Sequence, residues 1–423
     1  MPHSPLLPPV DRRELANGCR LLAAERHASE TVVVAGMLIG GAVLDPPGQK
    51  GLGDLTTAVA PRATTELTYE QIYDRVDRLG ASLGMGCGAH TVGFHAKCLS
   101  RHLPQVAKML VRLTRRPSFP VEEFERARGE ALTELRQLED STRAMAGREL
   151  GRLVYREGHP CHDPSCGTVA SVEGLGRDDL VACHQRLFRP DAMVVSVVGD
   201  VGAGAALDCL EELVGDWQAE GDPLARPDLT AEHPPAAQRT VVTMAEKSQA
   251  DIALGFKAIP RLHPDYYALD QATQIVGGMG LMGRLGDSVR DRQGLAYYVY
   301  ADIAESYGDA LWSARAGVSP ANVPRAVESI LDEIRRVRDE AVTEEELADV
   351  QNFLVGVLPI RLETNEGIAS VLNSIELFGL GDDYLDRYAG IVRSVTREDV
   401  QRAAQRHLTA EHYSLAIAGP LES

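Results

Sequence analysis

Arg290 and Tyr297 have side chains that could serve a reacting carbonyl group, and they lie seven residues apart in the C-terminal half. A guanidinium can donate two hydrogen bonds to a carbonyl oxygen, and a phenol can donate one to an oxyanion as it forms. The spacing alone favours a plainer interpretation, in which Arg290 pairs with Asp287 or Asp291 on the surface and Tyr297 is an ordinary strand residue. The motifs around the two residues must decide between these interpretations.

One loop contains four residues of types that bind zinc, namely His159, Cys161, His162 and Cys166. Their spacing matches no standard zinc knuckle, so we predict no metal there.

The other histidines and cysteines also give no metal motif. His90 and His95 are an odd number of residues apart in a glycine-rich strand region, which would place them on opposite faces of a strand. The seven cysteines all lie in the first half of the chain and include no C-x-x-C pair. We interpret them as reduced and mostly buried thiols.

The elements that must position these residues occur twice along the chain. Val172-Glu-Gly-Leu-Gly-Arg-Asp-Asp-Leu180 resembles Val392-Arg-Ser-Val-Thr-Arg-Glu-Asp-Val400, 220 residues later. An apolar strand ending in glycine follows each copy, at Met193–Val198 and at Tyr413–Ala418. The proline-rich stretch 216–238 has the composition of a linker. We therefore predict two homologous lobes, 1–215 and 239–423, joined by that linker.

Strands and helices are mixed within the first lobe. Asn17-Gly18 lies between short apolar runs and is a hairpin signal, and Thr31–Ile39 has the pattern of a buried strand. Helical spacing covers Leu52–Ala60 and Tyr69–Leu79, and a long charged helix is predicted over Val121–Tyr155. The fold class is therefore α+β, with an antiparallel-rich sheet in each lobe covered by helices.

Composition excludes several classes of partner. The net charge of −18 and the aromatic content of 5% argue against binding to nucleic acid or to an anionic membrane. The longest apolar run, Val32–Leu44, is shorter than the roughly 20 residues of a membrane-spanning helix. The segment Met1–Pro9 has neither the basic nor the apolar region of a secretion signal, so we expect a cytoplasmic location.

Four further motifs lie along the chain. His159–Gly167 is a histidine-proline loop, Phe188–Asp200 contains a strand that ends in Gly-Asp, and Val395–Val400 is a Val-Thr-x-x-Asp-Val helix start. The most specific motif, Val276–Tyr297, runs from a glycine turn through Val-Arg-Asp to Gly-Leu-Ala-Tyr. Together the four motifs resemble the M16 peptidase family, which includes pitrilysin, insulinase and the mitochondrial processing peptidases. The resemblance covers nearly the whole chain and implies the two-lobed, LuxS/MPP-like metallohydrolase fold of the half-size bacterial members.

The zinc motif of that family is degenerate here. The family places His-x-x-Glu-His on a helix, where two histidines bind zinc and the glutamate activates the zinc-bound water. This chain has Asp54-Leu-Thr-Thr57-Ala58 at that position, and Glu134 stands where a downstream ligand would lie. We therefore predict no metal and no cofactor in this chain, and we interpret Asp54 and Glu134 as ordinary polar residues.

The Arg/Tyr pair that the family uses opposite its zinc site is retained in this chain. By resemblance, Arg290 and Tyr297 would contact the substrate backbone and stabilise the tetrahedral intermediate. The motif Gly278-Met-Gly280-Leu-Met-Gly283 also fits the dinucleotide pattern G-x-G-x-x-G. However, it follows a helical stretch rather than a strand. We interpret Gly278 and Gly280 as part of a substrate-binding loop.

The resemblance implies a subunit that lacks zinc and is inactive alone. In some bacterial members one subunit has the zinc motif and the other has the Arg/Tyr pair, and this chain resembles the second type. Its partners would be a zinc-bearing homologue, or a second copy of itself, and a peptide substrate held between two lobes. The alternative is a catalytically inactive scaffold or peptide-binding protein of the same fold. A weaker third option, a hydrolase that uses other groups, would require activity in the isolated chain.

Overall fold

The computed structural model describes residues 7–421. Residues 1–6 lie outside this range, and with them most of the segment on which the expectation about secretion depends. The strands are β1 (Val10–Glu14), β2 (Arg20–Glu25), β3 (Thr31–Ile39), β4 (Ser82–Cys87), β5 (Thr91–Leu99), β6 (Met193–Gly199), β7 (Gln238–Thr243), β8 (Ala250–Ala258), β9 (Ala296–Ile303), β10 (Ala310–Val318) and β11 (Ser414–Gly419). The α-helices are α1 (Leu52–Val59), α2 (Tyr69–Arg78), α3 (Leu103–Arg115), α4 (Val121–Glu139), α5 (Thr142–Val154), α6 (Val169–Glu173), α7 (Arg177–Leu187), α8 (Ala203–Val214), α9 (Tyr266–Thr273), α10 (Val323–Asp339), α11 (Glu344–Arg361), α12 (Asn365–Phe378), α13 (Tyr384–Ser394) and α14 (Arg397–His407).

The chain forms two compact units, and neither is continuous in sequence. Unit 1 comprises residues up to 134, 165–227 and 357–387, and unit 2 comprises 135–164, 228–356 and 388 onward. This differs from the predicted division at 1–215, 216–238 and 239–423. The first half contributes α5 to unit 2, and the second half contributes α12 to unit 1. Apolar periodicity shows that a helix has a buried face, but it does not show which sheet that face covers.

Unit 1 contains a six-stranded sheet in the order β1-β2-β6-β3-β5-β4. Only β2 and β6 are parallel neighbours; the other pairs are antiparallel. The predicted hairpin at Asn17-Gly18 joins β1 and β2, with Gly18 at a φ of 85°. Helix α12 packs on β3 and β6, and its Asn373 amide donates to the Ala35 carbonyl oxygen of β3 at 3.2 Å.

Unit 2 contains a five-stranded sheet in the order β7-β11-β8-β10-β9. Helix α5 packs on β8 and β11, where its Leu150 meets Ala253 and Ala416 in one buried cluster. These small strand residues allow the helix to lie close to the sheet. A separate and larger apolar core contains residues of α9, α10 and α14 together with strand residues such as Trp312.

The internal repeat is visible in both units. Helices α7 and α14 begin at Arg177 and Arg397, the two positions that the repeat predicts, and each is followed by a buried strand. In each sheet that strand has one parallel neighbour and one antiparallel neighbour. The predicted α+β class, with antiparallel-rich sheets covered by helices, is therefore confirmed.

The predicted helix over Val121–Tyr155 is wrong in one respect, because the chain forms two helices there. Helix α4 ends at Glu139, and Ser141 begins α5 by accepting a hydrogen bond from the Ala144 N–H at 3.3 Å. A serine at this position offers the backbone an N-cap, which favours a helix start. Among residues 7–421, no helix is both long and apolar enough to cross a bilayer.

Candidate functional site

The segment that carries Arg290 has an irregular helical backbone. Two π-helical turns, Gln274–Gly278 and Gly286–Asp291, flank a short 3₁₀ turn at Gly280–Met282. π-Turns are rare and occur often at functional sites, because they rotate the following side chains relative to a regular helix. The second π-turn packs against β9, which carries Tyr297, so the fold brings the two predicted residues onto adjacent segments of unit 2.

Arg290 is half-buried, and its backbone is held firmly. Its carbonyl oxygen accepts from the Gly294 N–H at 2.9 Å, and the neighbouring Val289 is fully buried. Nearby arginines are paired: Arg284 forms a bidentate ion pair with Glu346, and Arg292 pairs with Asp287. Within residues 7–421, no hydrogen bond or ion pair involves the Arg290 guanidinium. The plainer interpretation, in which Asp287 or Asp291 pairs with Arg290, is therefore not what the structure shows.

Tyr297 lies at a β-bulge. Ala296 pairs with Val318 and Tyr298 pairs with Gly317, so Tyr297 is the extra residue between two consecutive pairs. Bulges turn a side chain out of the regular alternation, and the Tyr297 side chain is 82% exposed. Its hydroxyl has no hydrogen-bond partner in the described part of the chain. The phenol is thus positioned by the backbone and free to donate to another molecule.

The next tyrosines on β9 are held by the protein itself. The Tyr298 hydroxyl donates to the buried carboxylate of Asp251, and Arg143 of α5 donates to the Tyr300 hydroxyl at 3.0 Å. Arg143 also lies over both rings, 4.7 and 5.5 Å from their centroids. Sequence reasoning missed this network, because nothing in the spacing links α5 to β9.

The degenerate zinc motif lies on α1 in unit 1. Asp54 is half-buried, Thr57 is buried and Ala58 is exposed. The Thr57 hydroxyl donates to the Asp54 carbonyl oxygen at 2.9 Å, which is a helix-internal bond rather than a ligand geometry. Glu134 is an exposed residue of α4, close enough to Asp54 for their charges to interact.

The electrostatics at this position do not suit zinc. Burial raises the pKa of Asp54, and the nearby negative charge of Glu134 raises it further. Burial likewise raises the pKa of the Cys166 thiol, so no thiolate is available there near neutral pH. Two carboxylates and a protonated thiol are not the donor set of a His-x-x-Glu-His zinc site, and no group of three candidate ligands converges here within residues 7–421. The residues present therefore do not fit a catalytic zinc ion.

The glycine turn has the conformation that a loop near a ligand would need, although nothing shows a ligand there. Gly280 has a φ of 62°, a region that favours glycine. Gly278 is exposed at the end of the first π-turn, where an added Cβ would lie 2.5 Å from the Gln274 side chain. Their role in substrate binding stays a prediction.

The histidines of the loop 159–167 have structural contacts. The His159 ring stacks on Tyr155 with centroids 4.6 Å apart, and His162 Nδ1 bonds the Tyr155 carbonyl oxygen at 2.7 Å. His90 lies in the turn before β5 and His95 is exposed on β5, so they do not form a pair on one strand.

Solved structures show the same fold over almost the whole chain. A structure described as a peptidase M16 inactive domain from Pseudomonas fluorescens superposes with a TM-score of 0.90 at 22% identity, covering 98% of both chains. The fold of this chain is therefore that of M16 domains.

Sequence comparisons find similarity to the same family. Residues 174–354 match the family model described as "Peptidase M16 inactive domain". An "uncharacterized zinc protease YmxG" of Bacillus subtilis is 23% identical over 414 residues, covering 97% of this chain and 98% of that protein. A "non-peptidase homolog YmxG" of Helicobacter pylori is 24% identical over 337 residues, covering 79% of this chain and 76% of that protein. Residues 174–354 are therefore similar to an M16 family domain, and most of the chain is similar to proteins named as zinc proteases, in agreement with the resemblance that the motifs carry.

Proposed function

We propose that this chain is the non-zinc subunit of a heteromeric M16 metallopeptidase. In this role it binds a peptide substrate and supplies Arg290 and Tyr297 to a zinc site on a partner subunit. The zinc-bearing partner is a homologue with an intact His-x-x-Glu-His motif. The zinc ion, when bound there, activates water for attack on the peptide carbonyl.

The observation that carries the proposal is that both side chains lack partners within the described chain. Arg290 stands between paired arginines, and Tyr297 stands beside tyrosines whose hydroxyls are bonded. Buried polar groups normally find partners within the fold, whereas these two side chains reach solvent and can bind another molecule. A free guanidinium and a free phenol on adjacent segments are instead the donors that a substrate carbonyl and its oxyanion require.

The residues on α1 also support a model in which the zinc site belongs to the partner subunit. Asp54, Thr57 and Ala58 supply neither two imidazole ligands nor a general base, so this chain needs zinc chemistry from elsewhere. A second copy of the chain would bring the same defect, so a homodimer would lack peptidase activity of this type.

The test is Tyr297→Phe in the complex with the zinc-bearing homologue. Loss of one donor to the oxyanion should lower kcat by roughly 10²–10³-fold. Assembly and thermal stability should be unchanged, since the hydroxyl is exposed and makes no internal bond. The measurement is steady-state peptide cleavage together with size-exclusion chromatography of the complex.

Tyr300→Phe is the matched control, because the Tyr300 hydroxyl on the same strand bonds only to Arg143 among the described residues. Its turnover should stay close to that of the wild type. If both variants retain full turnover while the complex forms, the proposed role of Tyr297 is wrong.

A scaffold or peptide-binding protein is the second candidate. The name "non-peptidase homolog" given to the Helicobacter pylori relative favours it, as does the description of the matching family model. Under this alternative the chain binds partners, no cleavage appears with any zinc-bearing homologue, and Tyr297→Phe has no kinetic effect.

A further inference from the structure

Unit 2 contains a group of metal-binding side chains that lies outside every motif discussed above. His263 lies in the turn before α9, Asp265 immediately precedes α9, and His407 is the last residue of α14. One ligand atom from each residue lies within 4.8 Å of the other two. Within residues 7–421, this is the one group of three possible metal ligands whose atoms lie so close together. It combines two imidazoles with one carboxylate.

The carboxylate of Asp265 is directed into this group. Although Asp265 occupies the N-cap of α9, its side chain makes no capping bond to the helix. Its Oδ2 instead accepts from His407 Nε2 at 2.8 Å. The hydrogen bond from His407, rather than a capping bond to α9, therefore holds the Asp265 carboxylate in place.

The two rings complete the arrangement. The His263 and His407 rings are nearly perpendicular, with centroids 5.2 Å apart. His263 Nδ1 accepts from the Asp265 backbone N–H at 3.0 Å, which holds the His263 ring beside the carboxylate. Since α9 and α14 pack against each other, three ligands from two segments are positioned before any ion binds.

The group is accessible to an ion from solvent. The side chains of His407 and Asp265 are 17% and 20% exposed. Arg406 also contacts Asp265 Oδ2, at 3.3 Å, but its own side chain is 58% exposed and can move away into water.

We propose that His263, Asp265 and His407 bind one divalent transition-metal ion of the zinc class. Two imidazole nitrogens and one carboxylate oxygen are ligands that Zn²⁺ and Ni²⁺ accept, and water completes the coordination. The ion takes the place of the proton that His407 Nε2 now donates to Asp265, and that proton moves to His407 Nδ1 or to water. The ion binds the Nδ1 lone pair of His263, which gives up the hydrogen bond from the Asp265 backbone N–H. It would join the start of α9 to the end of α14.

This site is separate from the degenerate catalytic position. That position lies on α1 in unit 1, whereas these ligands lie in unit 2, and neither Arg290 nor Tyr297 is among them. The proposal therefore does not depend on the proposed function. It also means that zinc found in the purified chain would not show that α1 binds zinc.

The experiment titrates the full chain with Zn²⁺ by isothermal titration calorimetry after chelator treatment and dialysis. One ion per chain is expected, and His263→Ala or His407→Ala should weaken its binding by at least about tenfold. His412→Ala is the control, because His412 is exposed on the same unit and belongs to no such group. Its affinity for Zn²⁺ should equal that of the wild type. Circular dichroism verifies that each variant is folded.

A Co²⁺ spectrum of the wild-type chain provides a readout that needs no variant. Ligation by nitrogen and oxygen gives d–d bands without the thiolate-to-metal charge-transfer band that cysteine ligands produce. A charge-transfer band, an absence of binding, or equal affinity in the wild type and both histidine variants would each overturn the proposal.

Discussion

At the residue scale, the guanidinium of Arg290 offers a fixed hydrogen-bonding geometry in addition to its positive charge. Arginine presents a planar fork that can donate two parallel hydrogen bonds, whereas lysine presents a point charge. If Arg290 binds a substrate carbonyl, its geometry matters as well as its charge. If it is only a surface cation, lysine should replace it without effect.

We predict that Arg290→Lys lowers kcat/KM of the complex by about tenfold or more, because the paired hydrogen bonds are lost while the charge remains. The stability of the chain should not change, since Arg290 has no internal partner to lose. Arg292→Lys is the control, because Arg292 pairs with Asp287 beside the same turn. Equal kcat/KM values for Arg290→Lys and Arg292→Lys would contradict the prediction.

The pair Arg290 and Tyr297 could be proposed from sequence because it lies inside one continuous motif. Its lack of internal partners could not, since that depends on where Asp287 and Glu346 direct their carboxylates. The group of His263, Asp265 and His407 could not be found at all from spacing. His407 is more than a hundred residues from His263 and Asp265, and it meets them only because α9 packs on α14.

At the element scale, α7 contains a buried histidine that makes unit 1 sensitive to acid. His184 lies between the rings of Phe119 and Phe188, and its Nε2 donates to the Thr114 carbonyl oxygen at 2.8 Å. Burial lowers the pKa of His184 to about 4. The His184 ring is therefore neutral in the folded chain above about pH 4.

The sign of the pH dependence follows from this shift. Between pH 6.5 and about 4, His184 is protonated in the unfolded chain but neutral in the folded chain. The free energy of unfolding therefore falls as the pH falls. The total effect is at most about 3 kcal/mol. Asp45 opposes it, because burial raises the pKa of that carboxyl to about 6 and stability due to Asp45 falls as the pH rises.

We predict that His184→Gln removes the histidine contribution and leaves that of Asp45. The difference in unfolding free energy between wild type and variant should shrink steadily from pH 7 to pH 4. Denaturant titrations of both proteins across this range measure that difference. A difference that is independent of pH would show that His184 does not titrate as its burial requires.

The prediction of elements succeeded where local signals were strong. The strand Thr31–Ile39 and the starts of α7 and α14 agree with the structure, because alternation and capping are local properties. The break at Ser141 was missed, since the charge pairs of Val121–Tyr155 continue across it. A serine before a helical run is a known N-cap signal that could have revealed the break.

At the scale of the whole molecule, the internal repeat predicts two lobes correctly but not which residues fold together. Each half of the sequence lacks one helix of its own sheet. Residues 1–215 contain the strands of the first sheet without α12, whose Ile368, Ala369 and Leu372 are buried in unit 1. Residues 239–423 contain most of unit 2 without α5, whose Met145 and Leu150 are buried there.

We therefore predict that neither half folds cooperatively when it is produced alone. A sheet face that has lost its helix exposes buried apolar surface worth roughly 1.5–3 kcal/mol for each large side chain, which is a large fraction of the 5–15 kcal/mol that stabilises a domain. Each isolated half should bind a hydrophobic dye and melt without a sharp transition. The two halves produced together should associate and regain a cooperative transition, because each then supplies the helix that the other lacks. Sharp, dye-free melting of fragment 1–215 alone would show that α12 is dispensable to the first sheet.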